Sequence, residues 1–330
     1  MKKFLIVLAV CGAAFGATPG ATDTIAVFRS VNGTVSVEST DGKKKSPAKN
    51  GMAVAVGLLI RTAALAKAEL ALADGSLITI GEKSAIVLNR NLIGTKGKNN
   101  TSFGVLMGGM KLKVNKLTGS DEMKVQTPTA VAAVRGTDFE VSLASDGSTM
   151  VAVNEGKVNV KGDGSEGNVS MNESASVILG EENAGVKPMA KKDDSLDSFL
   201  KERDAAVKKD PAGTMGKMEA RAGVIGEKGG SLLVNAGDAS ADHTALNDVY
   251  NQVKNGNESI KLLADSVLAE NSENPNVKRA YNTLKRIYEA NGKLEAKIAA
   301  ALAKIDARVN AVNQKIDTKS KMLDSLELNK

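Results

Sequence analysis

The sequence predicts a mainly β N-terminal module, a rolled or solenoid-like sheet, followed by an α-helical, coiled-coil-like C-terminal region. Three observations carry that expectation. Short runs with apolar residues at every second position, separated by glycine turns, extend from Ile25 to about Leu179, the pattern of half-buried strands. Two stretches of that region echo two others. Beyond residue 182 the apolar spacing changes from two to alternating three and four, the period of a helical seam. The expected segments are 1–16 (signal peptide), 25–182 (β module), 183–240 (linker with a short helix) and 241–330 (helical hairpin or coiled-coil tail).

Within the β module, Asn32-Gly33, Asp74-Gly75, Asp146-Gly147 and Glu155-Gly156 each separate alternating segments. Such pairs suit tight turns because glycine reaches positive φ without a Cβ clash. Around Asp146 one arm reads Phe139, Val141, Leu143 and the other Val151, Val153, with Val158 and Val160 continuing the alternation. The echoes are ADGSLITI (73–80) with SDGSTMVAV (145–153), and VNGTVSV (31–37) with VNEGKVNV (153–160). They predict repeated hairpins in a stacked or rolled sheet. Residues 63–73, AALAKAELALA, have the composition of a helix former. Ala68, Leu70 and Leu72 nevertheless alternate into the Asp74-Gly75-Ser76 turn, so a strand is expected there.

In the C-terminal half a polar connector (181–195) leads to a short helix from Leu196 to Lys209 that Pro211 ends. The glycine-rich stretch 223–240 reads as linker. A helix from about Asp242 carries Leu246, Val249, Val253, Ile260, Leu263 and Val267 on one stripe, weakened at Asn255-Gly256-Asn257 and ended by Asn274-Pro275. The last segment, Val277 to Leu328, places Ile298, Leu302, Ile305, Val309, Val312, Ile316, Leu323 and Leu326 on a heptad seam. At 1.5 Å per residue it is on the order of 80 Å long. Two partners are open for the seam: the preceding helix folding back around Asn271–Asn276, which covers only about half of it, or a second copy of the chain zipping alongside. Ile305, Val309, Val312, Ile316, Leu323 and Leu326 are therefore expected to meet a second copy or another protein.

Charge excludes several classes. The 44 Lys+Arg and 38 Asp+Glu divide as 19 and 17 over residues 17–190 and 23 and 21 over 191–330, so neither half carries a one-sign field for nucleic acid or membrane. With no Trp, three Tyr and six Phe, there are few stacking faces for single strands. Lys2-Lys3, the apolar run Phe4–Val10 and the small-residue exit at Ala14-Phe15-Gly16 read as a secretory leader with the mature chain starting at Ala17. No other stretch has the roughly 18 apolar residues of a span. Cys11, the only cysteine, follows the apolar run as a lipid-attachment cysteine would, although Val10 stands where a small residue is normally required. Removed with the leader, it leaves a chain without thiols; lipidated, it is an anchor.

VNGTVSV (31–37), GLLIRT (57–62), AELALADGSLITI (68–80), LMGGMKLKV (106–114), TPTAVAAVRGTDFEV (127–141) and MVAVNEGKVNV (150–160) together resemble, in order and spacing, the FecR domain, the extracytoplasmic module of FecR-like proteins. TPTAVAAVRGTDFEV is the most specific of them. The resemblance covers roughly half the chain and stops near residue 182. It implies a secreted or periplasmic all-β module that acts by binding. In the iron-uptake regulators that this module resembles, it lies outside a membrane span whose cytoplasmic arm handles a sigma factor. Here Ile25 follows almost directly on the leader, which matches instead the envelope proteins in which such a domain precedes a helical tail.

Arg135-Gly136-Thr137 interrupts an apolar run, and Gly136 suits a corner where the strand changes direction. Arg135 then either pairs with a nearby carboxylate or, with Thr127 and Asp138, lines a groove for a sugar or anionic ligand. Catalytic residues are not expected. His243, the only histidine, falls at a helix start, and the paired carboxylates Asp121-Glu122 and Glu181-Glu182 fall in loop-like stretches. Lys43-Lys44-Lys45 reads as a solvated hairpin tip. No metal site, cofactor motif or phosphate loop is present. The sequence thus leads to a non-enzymatic cell-envelope binding or scaffold protein, periplasmic or secreted. Its expected partners are an envelope protein or polysaccharide, with assembly through its helices. The alternative is an extracytoplasmic sensor or regulatory component of a signalling system.

Overall fold

A computed structural model describes residues 24–39, 42–90, 101–115, 122–162, 164–181, 185–188, 192–235 and 243–327. The proposed leader, with Cys11, lies outside them. The strands are β1 (Thr24–Asn32), β2 (Val35–Ser39), β3 (Lys45–Pro47), β4 (Ala53–Ala55), β5 (Leu58–Thr62), β6 (Lys67–Leu72), β7 (Leu77–Ile80), β8 (Ala85–Arg90) and β9 (Thr101–Lys113). They continue as β10 (Met123–Gln126), β11 (Val131–Val134), β12 (Asp138–Leu143), β13 (Thr149–Glu155), β14 (Lys157–Lys161), β15 (Glu166–Ser170), β16 (Glu173–Val177) and β17 (Gly185–Pro188). Helices follow: α1 (Lys192–Lys209), α2 (Pro211–Asn235), α3 (His243–Glu270) and α4 (Pro275–Glu327).

The strands form two facing layers. One, sheet A, runs β4-β1-β6-β7-β9-β12-β13-β16-β17, and the other, sheet B, runs β3-β2-β5-β8-β9-β10-β11-β14-β15. Neither closes into a barrel. All neighbours are antiparallel except β9 and β10, paired from Met123↔Thr101 to Gln126↔Gly104. The long strand β9 belongs to both sheets. Its first half pairs with β8 and β10, its second with β7 and β12. It changes sheet at Gly108, whose φ is +72°. A Cβ there would lie 2.8 Å from the Lys83 carbonyl oxygen, so both the bend and the close approach need glycine. Ser84 Oγ fastens the crossing, accepting from Gly109 N (3.0 Å) and donating to Gly109 O (3.1 Å).

The sequence echoes are structural repeats. In the β6–β7 turn Asp74 Oδ1 accepts from Ser76 N (2.9 Å), and in the β12–β13 turn Asp146 Oδ1 accepts from Ser148 N (2.8 Å). Each serine Oγ then accepts a backbone N–H from a later segment, Asn115 (3.0 Å) or Leu179 (2.9 Å). The second echo marks two of the places where the chain passes from sheet A to sheet B, β1 to β2 and β13 to β14, with Gly33 and Gly156 at φ +74° and +84°. Residues 67–72 are a strand despite their helical composition, because Ala68, Leu70 and Leu72 are buried between the sheets. Phe28, Ile60, Phe103, Leu112 and Phe139 fill the same interior.

Helices α2 and α3 cover the outer face of sheet B, while α1 meets the β12–β13 turn of sheet A, where Ser145 Oγ donates to Asp204 (2.5 Å). Asp210 caps α2, accepting from Gly213 N (2.8 Å), with Pro211 at the first helical position. Asn274 caps α4 similarly, accepting from Asn276 N (3.0 Å). The chain folds back at 271–274, which brings α3 against α4, one of the two partners considered for the seam. The linker expected over 223–240 is instead helix as far as Asn235. Two of its glycines serve close packing: a Cβ on Gly226 would lie 2.6 Å from Asn291 Oδ1 and one on Gly229 2.9 Å from Leu294. Asn291 Nδ2 donates to the Ala222 carbonyl (2.8 Å). Asn255-Gly256-Asn257, expected to weaken α3, lies buried within it, with Gly256 against Ile225. The side chains of Val207, Met215, Ile225, Ile260, Val277 and Leu284 join the interior of the β module in one continuous core. Ile298 and Leu302 pack with Leu232 and Leu246.

Candidate functional site

Alternation along β10, β11 and β14 sends Met123, Val125, Ala132, Val134, Val158 and Val160 inward. Lys124, Val131, Ala133, Asn159 and Lys161 are left on the outer face. Helices α2 and α3 close over that face without filling it, leaving a cleft of about 1110 Å³. Its floor comes from those strands and the Thr127–Ala130 turn, its far wall from Arg221, Ile225, Lys228 and Leu232 of α2 and Leu246, Val249 and Val253 of α3.

Polar contacts hold the helices in place. Lys124 Nζ reaches Asp248 Oδ2 (2.6 Å) and Glu122 Oε2 (3.3 Å). Desolvation works against the Lys124 charge, but those two carboxylates outweigh it and raise its pKa. Ser259 Oγ donates to the Leu106 carbonyl (2.8 Å) and Asn255 Nδ2 to Gln126 Oε1 (3.2 Å). The latter approach is possible because Gly104 of β9 has no side chain. Arg221 Nε donates to the Pro128 carbonyl. Burial lowers the Arg221 pKa to about 10. Desolvation, then the charges of Arg221 and Lys161, also lower that of Lys228.

A second titratable group lies between α3 and α4. Burial lifts the Glu295 pKa to about 7 against the pull of Asn257 and Lys254. Glu295 Oε1 and Asn257 Oδ1 are both buried without a hydrogen bond. Tyr281 donates to Asp265 Oδ1 (2.6 Å) nearby on the same pair of helices. Among the described residues no cluster of three or more His, Cys, Asp and Glu side chains is placed to hold a metal ion. No described helix is long and apolar enough to cross a membrane.

The three residues expected in a groove are not brought together. Thr127 borders the cleft at one end of β11. Its hydroxyl accepts from Ala130 N (2.8 Å) and from Thr149 Oγ1 (2.7 Å), which pins the turn. Arg135 is exposed at the other end of that strand, in the corner that Gly136 makes at φ +93°. Asp138 begins β12 in the other sheet, held by Lys111 (3.2 Å) and Asn154 (2.5 Å). Of the expected assembly seam, Ile305 is half-buried, while Val312 and Ile316 are 55% and 58% exposed. The side chains of Val309, Leu323 and Leu326, like that of His243, lie outside the described residues. Lys45 of the basic run bonds Glu38 (2.9 Å). Sequence reasoning missed Arg221, Lys228 and Lys161. The available signal was the seven-residue spacing of Arg221 and Lys228, two helical turns on one face, in a stretch read partly as linker.

Residues 59–159, from β5 into β14, match the family model described as FecR protein. The β module contains a FecR domain. The match covers just under a third of the 330 residues and takes in most of the cleft floor, ending before Lys161, while leaving out all four helices. Two crystal structures of a "putative anti-sigma factor" from Parabacteroides distasonis ATCC 8503, at 1.65 and 2.50 Å, are similar at 20% identity and a TM-score of 0.35. The similarity spans 40% of this chain and 59% of theirs. No curated protein matches the sequence.

Proposed function

We propose that this chain is an extracytoplasmic regulatory component of a signalling system, in which the FecR domain recognises a cue and the helical region passes it on. The supporting observation is that the outer face of the strands matched by the FecR model is joined to the helices by polar latches in addition to the shared apolar core. These are Lys124–Asp248, Ser259–Leu106 O, Asn255–Gln126 and Arg221–Pro128 O. A ligand entering between the layers competes with those latches, so occupancy and helix position are coupled. On this reading the mature chain acts in the periplasm or outside the cell, by recognition rather than turnover.

The test compares transcript profiles of a null strain and of strains complemented with wild-type protein or the latch variant Lys124→Met. A regulator gives a defined gene set that changes in the null and shifts in the latch variant at equal protein level. Unchanged transcripts in both sink the reading. A second reading, assembly of an envelope scaffold, draws on the exposed Val312 and Ile316 of α4. Their place on a heptad pattern fits a second copy of the same helix.

A further inference from the structure

We infer that Glu295 of α4 and Asn257 of α3 form a proton-operated catch: a neutral Glu295 fastens the two helices together, and an ionised one releases them. The inference adds a regulation to the signalling role proposed above and rests on that role for its biological meaning, while its test reads the helices rather than transcripts. Hydrogen-bond accounting at the seam leads there. Asn257 is only 8% exposed, and its Nδ2 donates to the Tyr288 carbonyl (3.3 Å). Its Oδ1 and Glu295 Oε1 are both acceptors, both buried and both without a donor, although the two side chains lie within reach of each other. Two acceptors cannot satisfy one another. A proton on Glu295 resolves the conflict, because its O–H donates to Asn257 Oδ1 while Asn257 Nδ2 keeps Tyr288. Once solvent takes that proton back, the carboxylate is met only by turning the Asn257 amide, which withdraws Nδ2 from the Tyr288 carbonyl. Each protonation state thus has its own set of bonds across the seam.

The charges around the catch come from α3. Burial lifts the Glu295 pKa to about 7, against Asn257 and Lys254 and with a smaller push from Glu258. Tyr250, itself raised chiefly by burial, also feels the Glu295 charge. Among the described residues no charged side chain of α2 or of the sheets shifts Glu295. The same turns of α3 reach the β module from another side, where Asn255 and Ser259 bond Gln126 and the Leu106 carbonyl. That contact is itself short of partners. Asn89 Nδ2, Ser102 Oγ and Gln126 Nε2, on the adjacent strands β8, β9 and β10, are buried without hydrogen bonds. Release of α4 therefore frees a helix whose polar hold on the FecR domain is incomplete.

The test is hydrogen exchange of the full chain, read by mass spectrometry as protection factors at intervals from about pH 5 to about pH 9. Between about pH 6 and about pH 8, protection across the α3–α4 contact should fall about ten-fold, more than in any peptide of β1–β8, as linkage requires of a carboxyl raised from 4.5 to about 7. Glu295→Gln, whose amide donates to Asn257 Oδ1 at every pH, should hold the acid-side protection throughout. Lys254→Met removes the cation that favours ionisation, so the midpoint should move to higher pH. A purely structural Glu295 would produce no such displacement, and this variant keeps the test decisive where Glu295→Gln does not fold. Level protection over the range, a fall that persists in Glu295→Gln, or an unmoved midpoint in Lys254→Met overturns the inference. With the fall established, transcripts indifferent to pH would leave the catch standing and remove only its place in signalling.

Discussion

Single residues carry sharp consequences where backbone geometry and space coincide. Gly108 and Gly51 have nearly the same φ, +72° and +78°, but a Cβ on Gly108 would meet the Lys83 carbonyl at 2.8 Å, whereas one on Gly51 meets nothing within 4 Å. Gly51→Ala should therefore cost about 1 kcal/mol, the strain of the left-handed backbone, and Gly108→Ala about 3 kcal/mol through added overpacking. Urea midpoints at constant slope check both. Glu295 gives a pH effect of known sign. Its folded pKa of about 7 lies above the ordinary 4.5, so its contribution is fully present below about pH 4.5 and is lost as pH rises through 7. The loss is on the order of 3 kcal/mol. Glu38 acts oppositely. Burial works to raise its pKa, but hydrogen bonds from Lys45, Ser36 and Arg61 keep it lowered. Its contribution is present above pH 4.5 and lost as pH falls. Stability should peak near pH 5, and Glu295→Gln should flatten the decline towards pH 8 in thermal melts.

Among the elements, α2 shows why part of the fold was illegible. Glycine content lowers helix propensity, and six glycines between residues 213 and 230 read as linker when propensity is the only guide. Their role depends on α4, some 60 residues further along, which no local pattern reveals. The difference is measurable. Gly216 and Gly223 face open space, so alanine at either should stabilise the protein by about 0.5–1 kcal/mol. Gly226→Ala should destabilise it by about 1 kcal/mol, because the new methyl displaces Asn291 from the Ala222 carbonyl and outweighs the propensity gain. Opposite shifts in melting temperature would verify the contrast. The β hairpins were legible for the converse reason. Asp-Gly-Ser turns hold their own backbone, so sequence and structure coincide within three residues.

Across the whole molecule, the two-part plan was legible from the change of apolar period, and the continuity of the core was not. Val207, Ile260 and Leu284 belong to the same buried cluster as Phe28 and Phe139, since strands and helices each supply only one face of it. The cleft escaped for a similar reason. Lys161 and Arg221 are remote in sequence and meet only once α2 lies on sheet B. The exposed end of α4 leads to a prediction at this scale: the protein should sediment as a dimer or larger species at micromolar concentration. Val312→Glu/Ile316→Glu should return it to the monomer without changing its melting temperature, because neither side chain contributes to the described core.

Among the described strands, every ladder contact between β1–β8 and β10–β17 runs through β9. The two leaves share a single spine, and that spine starts just after residues 91–100. A chain severed within that interval would keep two complete seams, Leu77–Ile80 and Ala85–Arg90, on which its pieces can reassemble. The β module is therefore a natural candidate for division into complementing fragments, the smaller waiting for β9 to zip both of its open margins at once.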